Sequence, residues 1–398
     1  MKLLALKKIV TTMTLVFVAS SAIALGQTQD EWLEITTKKD LYLSLGFPMR
    51  DEFGWPRMEQ SSCDALKFAS LYAVSGATWV NPLLAEDTNE PGLFFRRPRK
   101  DCLKDITDND GKIIDRKDNG SKSSISRDMF LGLLHWIFAT ENFAAIDRII
   151  HYGLDHTNNQ GGWVMGHAAT IDRNGNRIPE TTQREWLEAT IVNGPLQATF
   201  CQLWKHLREK KSDQTQSDPN WLIPCLEKYN ESYVVEGFFV NGYITHLHAL
   251  HILLRMKMLG ETSWQQISLL RHYSLIHSRN ALFQAMIALA FKGPIVDTNG
   301  TAMPVGDQER QYFQNQARKE AYATLLNKLD RTPLAGTILF PENRLPQEND
   351  RSSFYLFQRD LLQNGIVNDD WLRANPPKQD PLVFEAIDYL FATHVLFL

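Results

Sequence analysis

The sequence predicts a mainly α protein, a double ring of inner and outer helices with a few short β-hairpins in its loops. Three observations predict it. Helical periodicity dominates a chain of 398 residues that is 43% hydrophobic and 22% charged. The helices are of two kinds, apolar on every face or apolar on one stripe. The two kinds largely alternate, as inner helices packed on both sides and outer helices facing water require.

Residues 1–26 read as a signal peptide. Lys2, Lys7 and Lys8 form a positive start, Ile9 to Leu25 form an uncharged and largely apolar stretch, and Ala22-Ile23-Ala24 offers a cleavage site. The stretch holds several Thr and Ser residues and is short for a membrane span. The expectation is an exported chain, periplasmic or secreted, with no transmembrane segment after cleavage and with residues 27–398 as one helical domain.

Helices apolar all round are expected over Ala65–Val74, Met129–Ala139, Tyr243–Met258, Leu282–Phe291 and Leu382–Leu396. Striped helices carry Phe143, Ile146 and Ile150; then Leu196, Phe200, Leu203, Trp204 and Leu207; then Tyr322, Leu325, Leu326 and Leu329. Ser126-Arg127-Asp128 and Ser278-Arg279-Asn280 open two inner helices alike, with Ser at the N-cap. Turns centred on Asp110-Gly111, Asn174-Gly175 and Asn299-Gly300 predict small hairpins, since these residues accept positive φ. The first also hints at a calcium loop but reads better as a turn, because Gly111 as its sixth residue would put Ile106 first and Lys117 twelfth.

Composition excludes several functions. A formal charge of −4 is wrong for a general nucleic-acid binder. No phosphate loop, dinucleotide fingerprint, zinc-protease motif, metal spacing or serine-hydrolase elbow is present, so no cofactor and no metal are expected. Four cysteines in an exported chain permit disulfides, and the nearest-neighbour pairing is Cys63–Cys102 with Cys201–Cys225. Four buried thiols are the other reading.

Inner helices running in parallel would bring their N-termini, with unpaired N–H groups and positive dipole ends, to one mouth. Asp64 and Asp128 occupy matching first-turn positions there. Two carboxyls facing one cavity are the minimum set for acid/base cleavage of a glycosidic bond; taken singly, each would serve as a helix cap. Trp163 in the loop Gly161-Gly162-Trp163-Val164-Met165-Gly166-His167 is a candidate sugar platform or a core side chain. Arg127, His167, Tyr243, His246 and Arg279 are further candidates for holding substrate. Glu185 reads as part of a capping box with Thr182. His151, Asp155 and His156, and His246, His248 and His251, read as helix-end or core histidines rather than metal ligands.

The run Ser62-Cys63-Asp64-Ala65-Leu66-Lys67-Phe68-Ala69 and the Ser-Arg-Asp-led helix at 126 resemble the acid-led inner helices of six-hairpin, (α/α)6-toroid glycosidases and lyases. The similarity is at superfamily level and covers the helical alternation from about residue 60 onward. It implies a glycoside hydrolase acting on a poly- or oligosaccharide at the inner-helix mouth, with a lyase using Tyr243 or a histidine as base as a variant. A non-catalytic carbohydrate-binding or envelope scaffold protein is the competing reading.

Overall fold

The computed structural model describes residues 54–55, 65–98, 103–107, 113–118, 125, 127–165, 170–171, 190–211, 217–229, 234, 237–239, 243–276, 281–297, 299–329 and 390–398. The signal segment, Asp64, Cys63, Cys102, His167, Glu185, Arg279 and the Asp110-Gly111 and Asn174-Gly175 turns lie outside these residues. The described chain is mainly helical. None of its helices is long and apolar enough to cross a membrane.

Helix α1 (Leu66–Val74) is buried on nearly every face, including Lys67. It packs against α2 (Arg127–Thr140). Gly132 makes that contact close, because a Cβ there would stand 2.7 Å from the Lys67 Cα. Met129, Phe130, Leu133, Leu134 and Ile137 of α2 are all in the core. Each large side chain removed from water in this way contributes about 1.5–3 kcal/mol.

A tight turn follows α2. Glu141 adopts φ 51°, and its carboxylate is held by Lys210 at 2.8 Å, which keeps it ionised below its usual range. Asn142 then caps α3 (Phe143–Asp155) by accepting the Ala145 N–H at 3.1 Å. Ile146 and Ile150 face inward as the periodicity predicts. Helix α4 (Gly194–Lys210) opens with Pro195 in its first turn, where no N–H is needed. The short α5 (Leu222–Leu226) is fastened to α4 by the Cys201–Cys225 disulfide, with Cα atoms 6.3 Å apart. That half of the expected pairing is present.

Helix α6 (Tyr243–Leu259) ends at Gly260, whose φ of 68° and N–H to Met256 stop it in the left-handed conformation. Then come α7 (Trp264–Ile276), α8 (Ala281–Ala290), α9 (Asp307–Leu329) and a C-terminal helix, α10, over 390–397. The alternation scheme did not include α7. Its polar residues are spread around the helix, and one of them, Arg271, lays its guanidinium over Trp264, Phe291 and Phe313 at 4.7–5.8 Å. Phe391 of α10 meets His135 of α2 edge-on at 5.7 Å.

The strands are short. β1 (Leu103–Thr107) pairs antiparallel with β2 (Ile113–Asp118), the expected first hairpin, and β2 also pairs with β4 (Thr170–Ile171). β3 (Trp163–Met165) pairs antiparallel with β5 (Thr190–Val192). β6 (Thr262–Ser263) and β7 (Ile295–Val296) pair in parallel. The Asn299-Gly300 turn closes as expected, with Asp297 Oδ1 accepting the Asn299 and Thr301 N–H groups at 2.8 Å and Gly300 at φ 76°. One hydrophobic cluster runs from Trp55 to Leu396.

Candidate functional site

The directions of four helices follow from their contacts. Along α2 and α4, Phe130 meets Phe200 at 5.4 Å, Phe138 meets His206 at 5.4 Å, and Glu141 meets Lys210. Residue numbers rise together, so α2 and α4 run the same way. Along α4 and α6, Thr199 bonds His251 and His206 bonds the backbone of Met258. These two also run the same way. The strands leaving α6 and α8 pair in parallel, Thr262 with Ile295 and Ser263 with Val296, and Gly293 lies against Gly260. The trailing ends of α6 and α8 therefore meet. Helix α3 runs oppositely: Phe143 reaches Lys211, Asp147 accepts the Trp204 indole N–H at 2.8 Å, and Gly153 faces Trp163.

Helices α2, α4, α6 and α8 thus begin on one side, where their dipoles favour negative charge. Arg127 and Asp128 are the first two residues of α2, and Arg127 is exposed. Tyr243 and His246 are the first and fourth residues of α6. The side chains of Asp128, Tyr243 and His246 lie outside the described residues, as do Asp64, His167 and Arg279 entirely. By chain position Arg279 stands two residues before α8, and Asp64 two residues before α1.

The position of α4 departs from its reading as an outer helix. Its direction matches α2 and α6, and it packs on both. Its inward polar residues are satisfied: Gln197 accepts from Lys228 Nζ at 2.9 Å, and Thr199 donates to the Pro195 carbonyl while accepting from His251.

Trp163 is corrected as a sugar platform. Its indole is 1% exposed, seated against Gly153 and edge-on to Phe200 at 6.0 Å. A stacking platform must offer a free ring face, and this ring is spent on the core.

Sequence reasoning passed over His135. It is 1% exposed on α2, and its Nε2 donates to the Leu250 carbonyl at 2.9 Å, leaving Nδ1 as a buried lone pair with no partner. Burial, with help from the Lys257 charge, holds the ring neutral down to about pH 3. Burial likewise lowers His248 to about 4 and pushes His251 well down. The same effect brings Lys257 to about 8. These are core histidines between α2, α4 and α6. Among the described residues no three His, Cys, Asp or Glu side chains stand close enough to hold a metal ion.

The other histidine group, His151 and His156 with Asp155, lines a cavity of about 540 Å3 on α3 together with Glu90, Asp147 and Tyr152. Each imidazole Nδ1 there donates to the carbonyl four residues back, Asp147 and Tyr152. Comparison with known proteins finds no matching family model, no matching curated protein and no matching solved structure.

Proposed function

We propose that this protein is an exported carbohydrate-active enzyme that cleaves glycosidic bonds of a poly- or oligosaccharide at the mouth of an (α/α)6-toroid-like ring. The observation that carries the reading is the shared direction of α2, α4, α6 and α8, with Asp128 in the first turn of one and Tyr243 leading another. A carboxylate in a first helical turn is favoured in its ionised form by the dipole and the free N–H groups. Asp128 is therefore assigned as the base or nucleophile. The partner acid must keep its proton at neutral pH, and Asp64, which precedes α1 instead of lying in its first turn as the sequence predicts, takes that role. Arg127, His167, Tyr243, His246 and Arg279 hold the substrate.

The test is a reducing-end assay of the purified exported chain on a broad panel of soluble glycans. The expected result is cleavage of at least one glycan, lost by at least 100-fold in Asp128→Asn with the fold intact by circular dichroism. If the unaltered protein cleaves none of them, the reading fails. The chain is then better described as a non-catalytic carbohydrate-binding or scaffold protein.

A further inference from the structure

The turn that follows β7 carries a motif that the proposed cleavage does not use. Asp297-Thr298-Asn299-Gly300-Thr301 contains Asn-x-Thr, the acceptor pattern for N-linked glycosylation of a surface loop in an exported chain. The Asn-x-Ser form of the pattern recurs at Asn119-Gly120-Ser121 and Asn230-Glu231-Ser232, both outside the described residues. One feature separates the three. An acid, Asp297, stands two places before Asn299, whereas Lys117 and Lys228 hold that place before the other two.

The structure sets the Asn299 motif on the tip of a closed turn. Val296 bridges Ala302 across its base, the Asp297 N–H donates to the Thr301 carbonyl at 2.9 Å, and the Gly300 N–H donates to the Asp297 carbonyl at 3.1 Å. Asp297 Oδ1 takes the Asn299 and Thr301 N–H groups. The turn is therefore built from backbone groups and one carboxylate oxygen. Asn299, Gly300 and Thr301 are exposed, and a Cβ on Gly300 would meet nothing within 4 Å. Among the described residues no hydrogen bond or ion pair engages the Asn299 carboxamide, the Thr301 hydroxyl or Asp297 Oδ2. The groups that define the motif are spare, and the fold loses no contact when an enzyme grips them.

Its place on the molecule suits a bulky addition. α8 begins at the mouth and ends near β7, which pairs with the strand leaving α6. The turn therefore lies at the end opposite the helix starts. A solvated glycan there displaces no packed side chain and leaves the mouth open.

We propose that Asn299 accepts an N-linked oligosaccharide from a lipid diphosphate donor, on the chain already folded. In the transfer the carboxamide nitrogen bonds to the anomeric carbon of the sugar, and the bond from that carbon to the diphosphate oxygen breaks. The lipid diphosphate leaves with the electron pair, and one carboxamide proton passes to a base of the transferase. Nothing is oxidised or reduced. The inference takes from the reading above only the export of the chain, not the cleavage of any glycan.

The test incubates the purified, folded exported chain with a single-subunit oligosaccharyltransferase and a lipid diphosphate-linked oligosaccharide, and maps glycopeptides by mass spectrometry. A free acceptor peptide run alongside shows that the enzyme is active. More than half of the molecules should carry the glycan on Asn299, with at least 10-fold less on Asn119 and Asn230. Asn299→Gln and Thr301→Ala should abolish that transfer with Tm unchanged, and Thr301→Ser should keep it. Modification of the free peptide but not of the folded chain overturns the proposal. So does transfer to Asn299 only after denaturation, or equal transfer to the three asparagines. Retention of the full chain inside the cell on fractionation also overturns it, because the donor is then out of reach. A folded chain that accepts the glycan yet cleaves none upholds the proposal while ending the enzymatic reading.

Discussion

Gly153 of α3 and Trp163 of β3 share one space: a Cβ on the glycine would fall 2.6 Å from the indole Cδ2 and 2.8 Å from Cγ. The glycine forms the floor of a slot into which the indole drops. The ring then reaches Phe200 on α4, so one side chain joins α3, the β3–β5 ribbon and α4.

From this contact, Gly153→Ala should destabilise the protein by about 1–3 kcal/mol through overpacking. Trp163→Ala should cost about 3–5 kcal/mol by leaving a cavity. Urea denaturation reads both. If Trp163→Ala instead left stability unchanged and abolished glycan binding, the core assignment of Trp163 would be wrong.

Acid should weaken the fold before any carboxylate effect is reached. An unfolded imidazole takes up a proton near pH 6.5, while His135 in the folded core resists to about 3. A folded-state value that is depressed means the unfolded chain binds more protons as pH falls. The stability is therefore fully present above about 6.5 and is lost steadily below it, at about 1.4 kcal/mol per pH unit for this one group. His135→Gln keeps a donor for the Leu250 carbonyl and removes the titration. Denaturation at pH 7, 6 and 5 should show a shallower slope in the variant, by about 1 kcal/mol per unit. An identical slope would place the acid sensitivity elsewhere, with His248 and His251 the next groups to replace.

The disulfide between Cys201 and Cys225 closes a separation of 24 residues, and its loss should remove about 3 kcal/mol, mostly by freeing the unfolded chain. The double variant Cys201→Ala, Cys225→Ala should melt several degrees lower than the unaltered chain in calorimetry. No change in Tm would mean that α4 and α5 hold together by packing alone.

Much of this architecture can be read locally. The apolar runs of α2, α6 and α8 lie where the sequence places them, although α8 starts at Ala281, two residues later than a cap at Ser278 predicts, and the α3 stripe of Ile146 and Ile150 points inward. Long-range relations are what local patterns omit. The two glycines before Trp163 look like a loop opening onto solvent, and only Gly153, ten residues earlier, shows where the indole goes. The outer face of α4 is legible, since Glu209 and Lys210 are exposed as its pattern predicts, whereas the buried Gln197 and Thr199 find their partners Lys228 and His251 in distant segments. His135 sits in an apolar run, and nothing nearby in sequence reveals that its partner is a backbone carbonyl 115 residues away. Of the candidate site, the chain positions of Arg127, Asp128, Tyr243 and His246 at helix starts were legible, whereas the burial of Trp163 was not.

The fastening of β6 to β7 is made of backbone, so most side-chain exchanges at Thr262, Ser263, Ile295 and Val296 leave it intact, proline excepted. For protein engineering this divides the molecule into a tolerant end and an intolerant one. Extra residues spliced before 243 or 281 lengthen connections that this two-strand rivet does not hold. A single residue added between Gly260 and Thr262 shifts the register and pulls the rivet open.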